Sequence, residues 1–211
     1  MKEVIPIYIP EDYKEMDLNR LVAFMKEFDF ATIISWADHK PIATHLPFLI
    51  EKKGATVEIT SHMAKANEQW RSFNETEEVL IIFQGPHSYI SPKFYDSNRS
   101  VPTWNYASVH VYGTPHIVTD DRATLELLRK TIVNYESSFE NAYNQIPMEH
   151  KSKLAKELVG FEINVTKIEG AFKLNQDKST KEQERIAQAL LSSEETAISG
   201  IGKLMRENLG F

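Results

Sequence analysis

The chain has 211 residues, 42% of them hydrophobic and 26% charged, with a formal net charge of −6 and no cysteine. That balance belongs to an ordinary folded protein of the aqueous phase, long enough to bury a sizeable core. It excludes disulfides, thiolate metal sites and cysteine nucleophiles, and it withholds the basic face that a DNA reader uses to neutralise phosphates.

In chain order, Met1–Pro10 lacks a signal-peptide pattern, and no apolar run approaches the roughly 18–20 residues that span a bilayer, so a cytoplasmic protein is expected. Asp17 then precedes Leu18, Leu21, Val22, Met25 and Phe28, an N-cap followed by one apolar helix face. Short β-branched and aromatic runs follow at Phe30–Trp36, Ile42–Ile50, Thr56–Thr60, Val79–Phe83 and Tyr106–Val118, interrupted by a helical stretch at Asn67–Phe73. Ala37-Asp38-His39-Lys40 and Lys52-Lys53-Gly54 supply turns between them. Asp120 caps a helix running to about Glu140, and Pro147–Leu158 reads as another. Gly160–Leu174 returns to strand, and helices follow at Thr180–Leu191 and Ile201–Leu209. Strands this closely spaced pair antiparallel and close toward a barrel, so the expectation is a mainly β fold with peripheral helices. A barrel domain over 1–175 carries a helical tail, 176–211, packed on the same domain.

Four clusters carry possible chemistry. Val101-Pro102-Thr103-Trp104-Asn105-Tyr106 puts two amphipathic rings and an amide at the mouth of a strand, a good way to hold a flat ligand with polar edges. Phe83-Gln84-Gly85-Pro86-His87-Ser88-Tyr89-Ile90-Ser91-Pro92 adds a second aromatic set. There Gln84 either meets a heteroaromatic edge or sits in solvent beside a Gly-Pro turn. Ser61-His62-Met63-Ala64-Lys65-Ala66-Asn67-Glu68-Gln69-Trp70-Arg71 leaves a strand and enters a helix, whose free N–H groups with Ser61, His62, Lys65 and Arg71 suit a phosphate. The same block also reads as an N-cap at Asn67, a core Trp70 and solvated cations. Ala43-Thr44-His45-Leu46-Pro47 sets two polar side chains in an apolar strand, where a histidine is more often hydrogen-bonded than catalytic. The chain lacks G-x-S-x-G, P-loop, H-E-x-x-H and G-x-G-x-x-G signatures, and its seven histidines show no close zinc-ligand spacing, so hydrolytic, metal-dependent and P-loop chemistry are not expected.

These motifs, with Val159-Gly160-Phe161-Glu162-Ile163, Ile168-Glu169-Gly170 and Lys173-Leu174-Asn175-Gln176, resemble in order the PaiB-type FMN-binding negative transcriptional regulators. The resemblance covers residues 5–190 and implies an FMN-binding split β-barrel of the pyridoxamine-phosphate-oxidase-like kind, a homodimer with FMN where the subunits meet. It implies a phosphate site at Ser61, His62, Lys65 and Asn67, and a ring site at Thr44, His45, Gln84, Trp104, Asn105 and Tyr106. Glu68 stands where a Pro is usual, and Phe94 where a Trp is. Ala171, Asn175 and Asp177 replace Lys, Ser and Asn, which tells against ligand roles for Lys173 and Gln176. Three functions follow: an FMN-binding regulator sensing flavin or redox state, an FMN-dependent oxidoreductase or flavin reductase, or an interaction protein on an emptied barrel. No helix-turn-helix is visible, so direct DNA binding is not expected.

Overall fold

In a computed structural model, which describes residues 7–73, 78–97 and 99–210, the alternation seen in the sequence becomes antiparallel sheet with helices at its margins. Strand β2 (Phe30–Ala37), following α1 (Leu18–Glu27) and the short β1 (Lys14–Glu15), buries Ala31, Ile33 and Ser35 and leaves the residues between them more open. The chain divides into two compact units, one of Met25–Phe83 and His110–Ile168, the other of Met1–Phe24, Gln84–Val109 and Glu169–Phe211.

The first unit holds β2, β3 (Lys40–Pro47), β4 (Leu49–Lys53) and β5 (Thr56–Ala64), with parts of β6 (Val79–Ile90), β7 (Thr103–Ile117) and β8 (Leu158–Lys173). The sheet order is β3-β2-β6-β7-β8-β5-β4. Ile33 lies opposite Thr44 on one side and Ile81 on the other, and Ile59 lies opposite Ile163, so inward positions meet inward positions. Their shared core is aromatic. The Phe48 ring lies 5.8 Å from Phe83 and 6.3 Å from Phe161, both edge-on, and all three side chains are fully buried. Burying each contributes about 1.5–3 kcal/mol. Gly113 lets β7 approach β8, since a Cβ there would stand 2.5 Å from the Asn164 carbonyl oxygen. Helix α2 (Asp121–Tyr135) starts where the Asp120 carboxylate accepts from the Ala123 N–H. Leu127 and Thr124 of this helix lie over Gly160. It stops short of the expected Glu140: Glu136 leaves helical geometry, and a 3-10 turn at Ser137–Phe139 leads into α3 (Glu140–Gln145) and α4 (Met148–Ala155).

In the second unit β1 pairs with β8 through Lys14 opposite Ala171. Phe24 of α1 packs on Phe172 with ring centroids 5.0 Å apart. The tail forms α5 (Thr180–Leu191), opened by a reciprocal Ser179–Glu182 capping box, and α6 (Thr196–Asn208). Ile186, Leu190, Ile201 and Met205 are buried, and a Cβ on Gly202 would lie 2.8 Å from the Leu191 nitrogen. Arg185 of α5 pairs with Asp96 at 2.9 Å and donates to the Phe94 carbonyl.

Three segments differ from expectation. The expected strand Ile42–Ile50 divides at Phe48, whose N–H donates to the Asp29 carbonyl. Strand β5 continues past Thr60 to Ala64, so Ser61 and His62 are strand residues. Gln84-Gly85-Pro86-His87 is no turn but the middle of β6; a Cβ on Gly85 would lie 2.5 Å from the Phe24 ring, so the glycine serves close packing. Among the described residues, no helix is long and apolar enough to cross a membrane.

Candidate functional site

In the first unit the expected phosphate and ring residues separate by strand face. Thr44 and His45 are neighbours on β3 and so point to opposite faces. Thr44 Oγ1 accepts from Asn67 Nδ2 at 2.9 Å, while the exposed His45 meets Thr32 Oγ1 through Nδ1 at 2.8 Å, its Nε2 having no partner among the described residues. Asn67 uses its Oδ1 to cap the short 3-10 turn Glu68–Ser72, accepting from the Gln69 N–H. That turn replaces the expected helix, and five residues give too short a dipole to act as an anion site by itself.

On β5 the same alternation separates Ser61 from His62. Ser61 is buried, 2% exposed, and its hydroxyl donates to the Pro47 carbonyl at 2.6 Å. In this arrangement the Ser61 hydroxyl is held in the core beside the expected phosphate residues. His62 is partly exposed, and burial pushes its imidazole below the ordinary histidine range, so at neutral pH it is an uncharged donor. Lys65 is better placed. Its N–H donates to the Glu157 carbonyl at 2.7 Å and its own carbonyl accepts from Trp70 Nε1 at 3.1 Å, which fixes the main chain while the ammonium stays exposed. Arg71 lies over the Trp70 ring and pairs with Glu68 at 3.3 Å, so the unusual Glu68 spends its charge on Arg71. Trp70 is half-buried rather than core.

In the second unit the ring residues share an exposed strand face. Trp104 is 54% exposed, with Tyr89 edge-on at 6.1 Å and His87 tilted at 6.0 Å. Gln84 is exposed as well, its amide making only a long 3.4 Å contact to the Gly85 carbonyl, and Tyr106 is half-buried. Asn105 points the other way. It is fully buried, donating to Asn175 Oδ1 at 2.7 Å and lying 3.5 Å from the Met205 sulfur. It sits next to Trp104 in sequence, with its side chain held in the interior by these partners. His87 and Tyr89 belong to the exposed face although they were not expected as site residues. The signal was present in the second aromatic set of the sequence, but an assumed turn at Gly85-Pro86 hid that these residues continue one strand. Gln176 is spent locally, accepting from the Leu174 N–H at 2.7 Å and donating to the Phe172 carbonyl.

The donor chemistry suits FMN in both units. An exposed ammonium with no ion pair among the described residues, an imidazole and an amide match a phosphate, and a solvent-facing indole flanked by a tyrosine and a histidine matches a flat heteroaromatic ring. Two exposed faces of this kind would be poor core and poor surface alike without a ligand or partner.

Comparison with known proteins agrees. Residues 7–167 match the family model described as "Putative FMN-binding domain". The chain is 36% identical over 207 residues to the protease synthase and sporulation protein PAI 2 of Bacillus subtilis, covering 96% of this chain and 98% of that protein. A Saccharomyces cerevisiae protein, YKL070W, is 29% identical over 153 residues, covering 62% of this chain and 90% of its own length. Among solved structures, the FAD and haem binding protein of Mycobacterium smegmatis matches with a TM-score of 0.61 at 14% identity, covering 81% of this chain and 78% of that one. The flavocytochrome Anf3 of Azotobacter vinelandii matches at 0.60 and 13% identity, covering 76% and 69%. The fold is thus the antiparallel split barrel with peripheral helices, and with a family model spanning most of its length and a full-length relative at this identity, the chain belongs to the FMN-binding, PaiB-like family.

Proposed function

We propose that the FMN phosphate is held by Lys65, Asn67 and His62, and its ring system by Trp104, Tyr106, Gln84 and His45. Ser61 and Asn105 brace these residues from the core, and Thr44 fixes Asn67. Two copies of the chain form a homodimer around the cofactor. The observation that carries this reading is the exposed Trp104, set against Tyr89 and His87 on a strand face that the described residues leave open. When bound, FMN supplies reversible redox chemistry; the chain binds it, orients it and shields one face.

In this reading the protein reports flavin or redox state to transcription, in keeping with a relative named for protease synthesis and sporulation. A net charge of −6 makes a partner protein, rather than direct DNA contact, the route to the promoter. The test is FMN titration of Lys65→Ala and Trp104→Ala beside the unaltered chain. Each substitution is expected to weaken binding by about tenfold or more, the first through a lost charge-assisted contact and the second through lost stacking area. Unchanged FMN affinity in both would remove these residues from the site. The flavin reductase alternative predicts turnover with NADH or NADPH; a stable bound flavin that neither reduces favours the sensor.

A further inference from the structure

The second unit contains a pocket of about 430 Å³ that none of the FMN contacts uses, walled by Tyr13, Tyr95 and the 99–103 segment and floored by the end of β8. Three cations line it: Arg99, Lys173 and Lys178, against one carboxylate, Asp177. Lys178 is neutralised by Asp177 at 2.7 Å and lies over the Tyr95 ring. Arg99 and Lys173 make no ion pair among the described residues, which leaves two positive charges in one small concave space. The Lys173 ammonium donates to Thr103 Oγ1 at 2.6 Å and lies 5.6 Å from the Tyr13 ring centre, so it is oriented while two of its N–H bonds remain for a ligand.

The floor is rigidly built. Asn175 adopts a left-handed backbone, φ 62°, and is 1% exposed. Its Oδ1 accepts from Asn105 and its Nδ2 donates to the Tyr95 hydroxyl at 3.1 Å. Since Tyr95 accepts there, its own O–H proton is available to something else. A left-handed asparagine costs conformational energy, and here it orders a phenol and presents the adjoining lysine.

The geometry points to a second ligand site in which Lys173, Arg99 and the Tyr95 hydroxyl hold the phosphoryl group of a small molecule. Two unpaired cations match the charge of a phosphate monoester near neutral pH, and the volume admits a phosphate with a small organic group attached. Lys173, which the altered neighbouring positions seemed to exclude from any ligand role, is its central donor. The inference stands apart from the FMN reading.

Calorimetric titration of the full chain, saturated with FMN, tests it with inorganic phosphate, phenyl phosphate and acetate as probes. Saturable binding of a phosphate is expected, with acetate far weaker; a preference for phenyl phosphate identifies a phosphorylated metabolite and equal binding identifies free phosphate. Lys173→Gln and Arg99→Gln should each weaken the phosphate by about tenfold, and Arg99, on an exposed segment, can be replaced without risk to folding. FMN retention should be unchanged in both. No phosphate binding, or binding indifferent to both substitutions, overturns the proposal. So does loss of FMN together with phosphate, which would make the pocket part of the cofactor's own site.

Discussion

At the scale of single residues, the polar groups that matter most for folding are not the ones that face a ligand. Gln69 is 2% exposed, and its Nε2 serves the carbonyls of Ile33 at 3.2 Å and Ile42 at 3.1 Å and the Ser35 hydroxyl at 3.0 Å. One amide thus ties the turn after β5 to both β2 and β3. Gln69→Ala removes these bonds and leaves a void, with Ser35 keeping only its Ser72 contact at 2.7 Å, and should cost about 2–4 kcal/mol, read as a lower urea midpoint with an unchanged slope. A loss within error would show that water replaces the amide. His62 gives a pH dependence. Burial lowers its pKa in the folded chain, so the unfolded chain binds the proton more readily. The stability this affords is complete above the ordinary histidine pKa of 6.5 and is lost as pH falls through the lowered folded value. Thermal melts from pH 7.5 downward should show a decline beginning near pH 6.5 that His62→Gln reduces; identical profiles would contradict it.

At the scale of elements, close approach decides what side chains are allowed. A methyl on Gly113 would meet the Asn164 carbonyl oxygen at 2.5 Å and the Ile163 side chain at 2.6 Å, and backbone of a paired strand cannot swing aside as a flexible side chain can. Gly113→Ala should therefore destabilise by about 2–4 kcal/mol, seen as a lower melting temperature. A change below about 0.5 kcal/mol would show that the strands separate freely. Much of this architecture was legible beforehand. The Asp17 and Asp120 cap positions and the alternation in β2 and β8 are local signals, and local signals survive in the sequence. What escaped was set by distant partners. Gly85-Pro86 has turn chemistry in isolation, yet Phe24, remote in sequence, demands a residue without a side chain there and keeps β6 running. Ser61 and His62 were legible as polar neighbours, but only the extension of β5 shows that consecutive residues must face apart. Asn105 next to Trp104 is the same case, and its interior partners, Asn175 and Met205, arrive from late in the chain.

At the scale of the molecule, membership of a family of FMN-binding proteins supplies the cofactor. Trp104, Tyr89 and His87 in one unit, and Lys65 and His45 in the other, are exposed rings and donors on which the proposed flavin contacts rest. The interior amides and hydroxyls behind them keep those positions fixed. The acidic balance of the whole chain bears on partners, favouring an acidic regulator that acts through another protein over one that grips DNA. The most direct measurement is the visible absorbance of the purified chain, incubated with FMN, desalted and compared with the unincubated protein, with its mass in solution taken on the same sample. Retained flavin bands at about one FMN per chain, on a particle of twice the chain mass, are predicted. A dimer or monomer that releases all its flavin on desalting would contradict the account and leave these faces to a macromolecular partner.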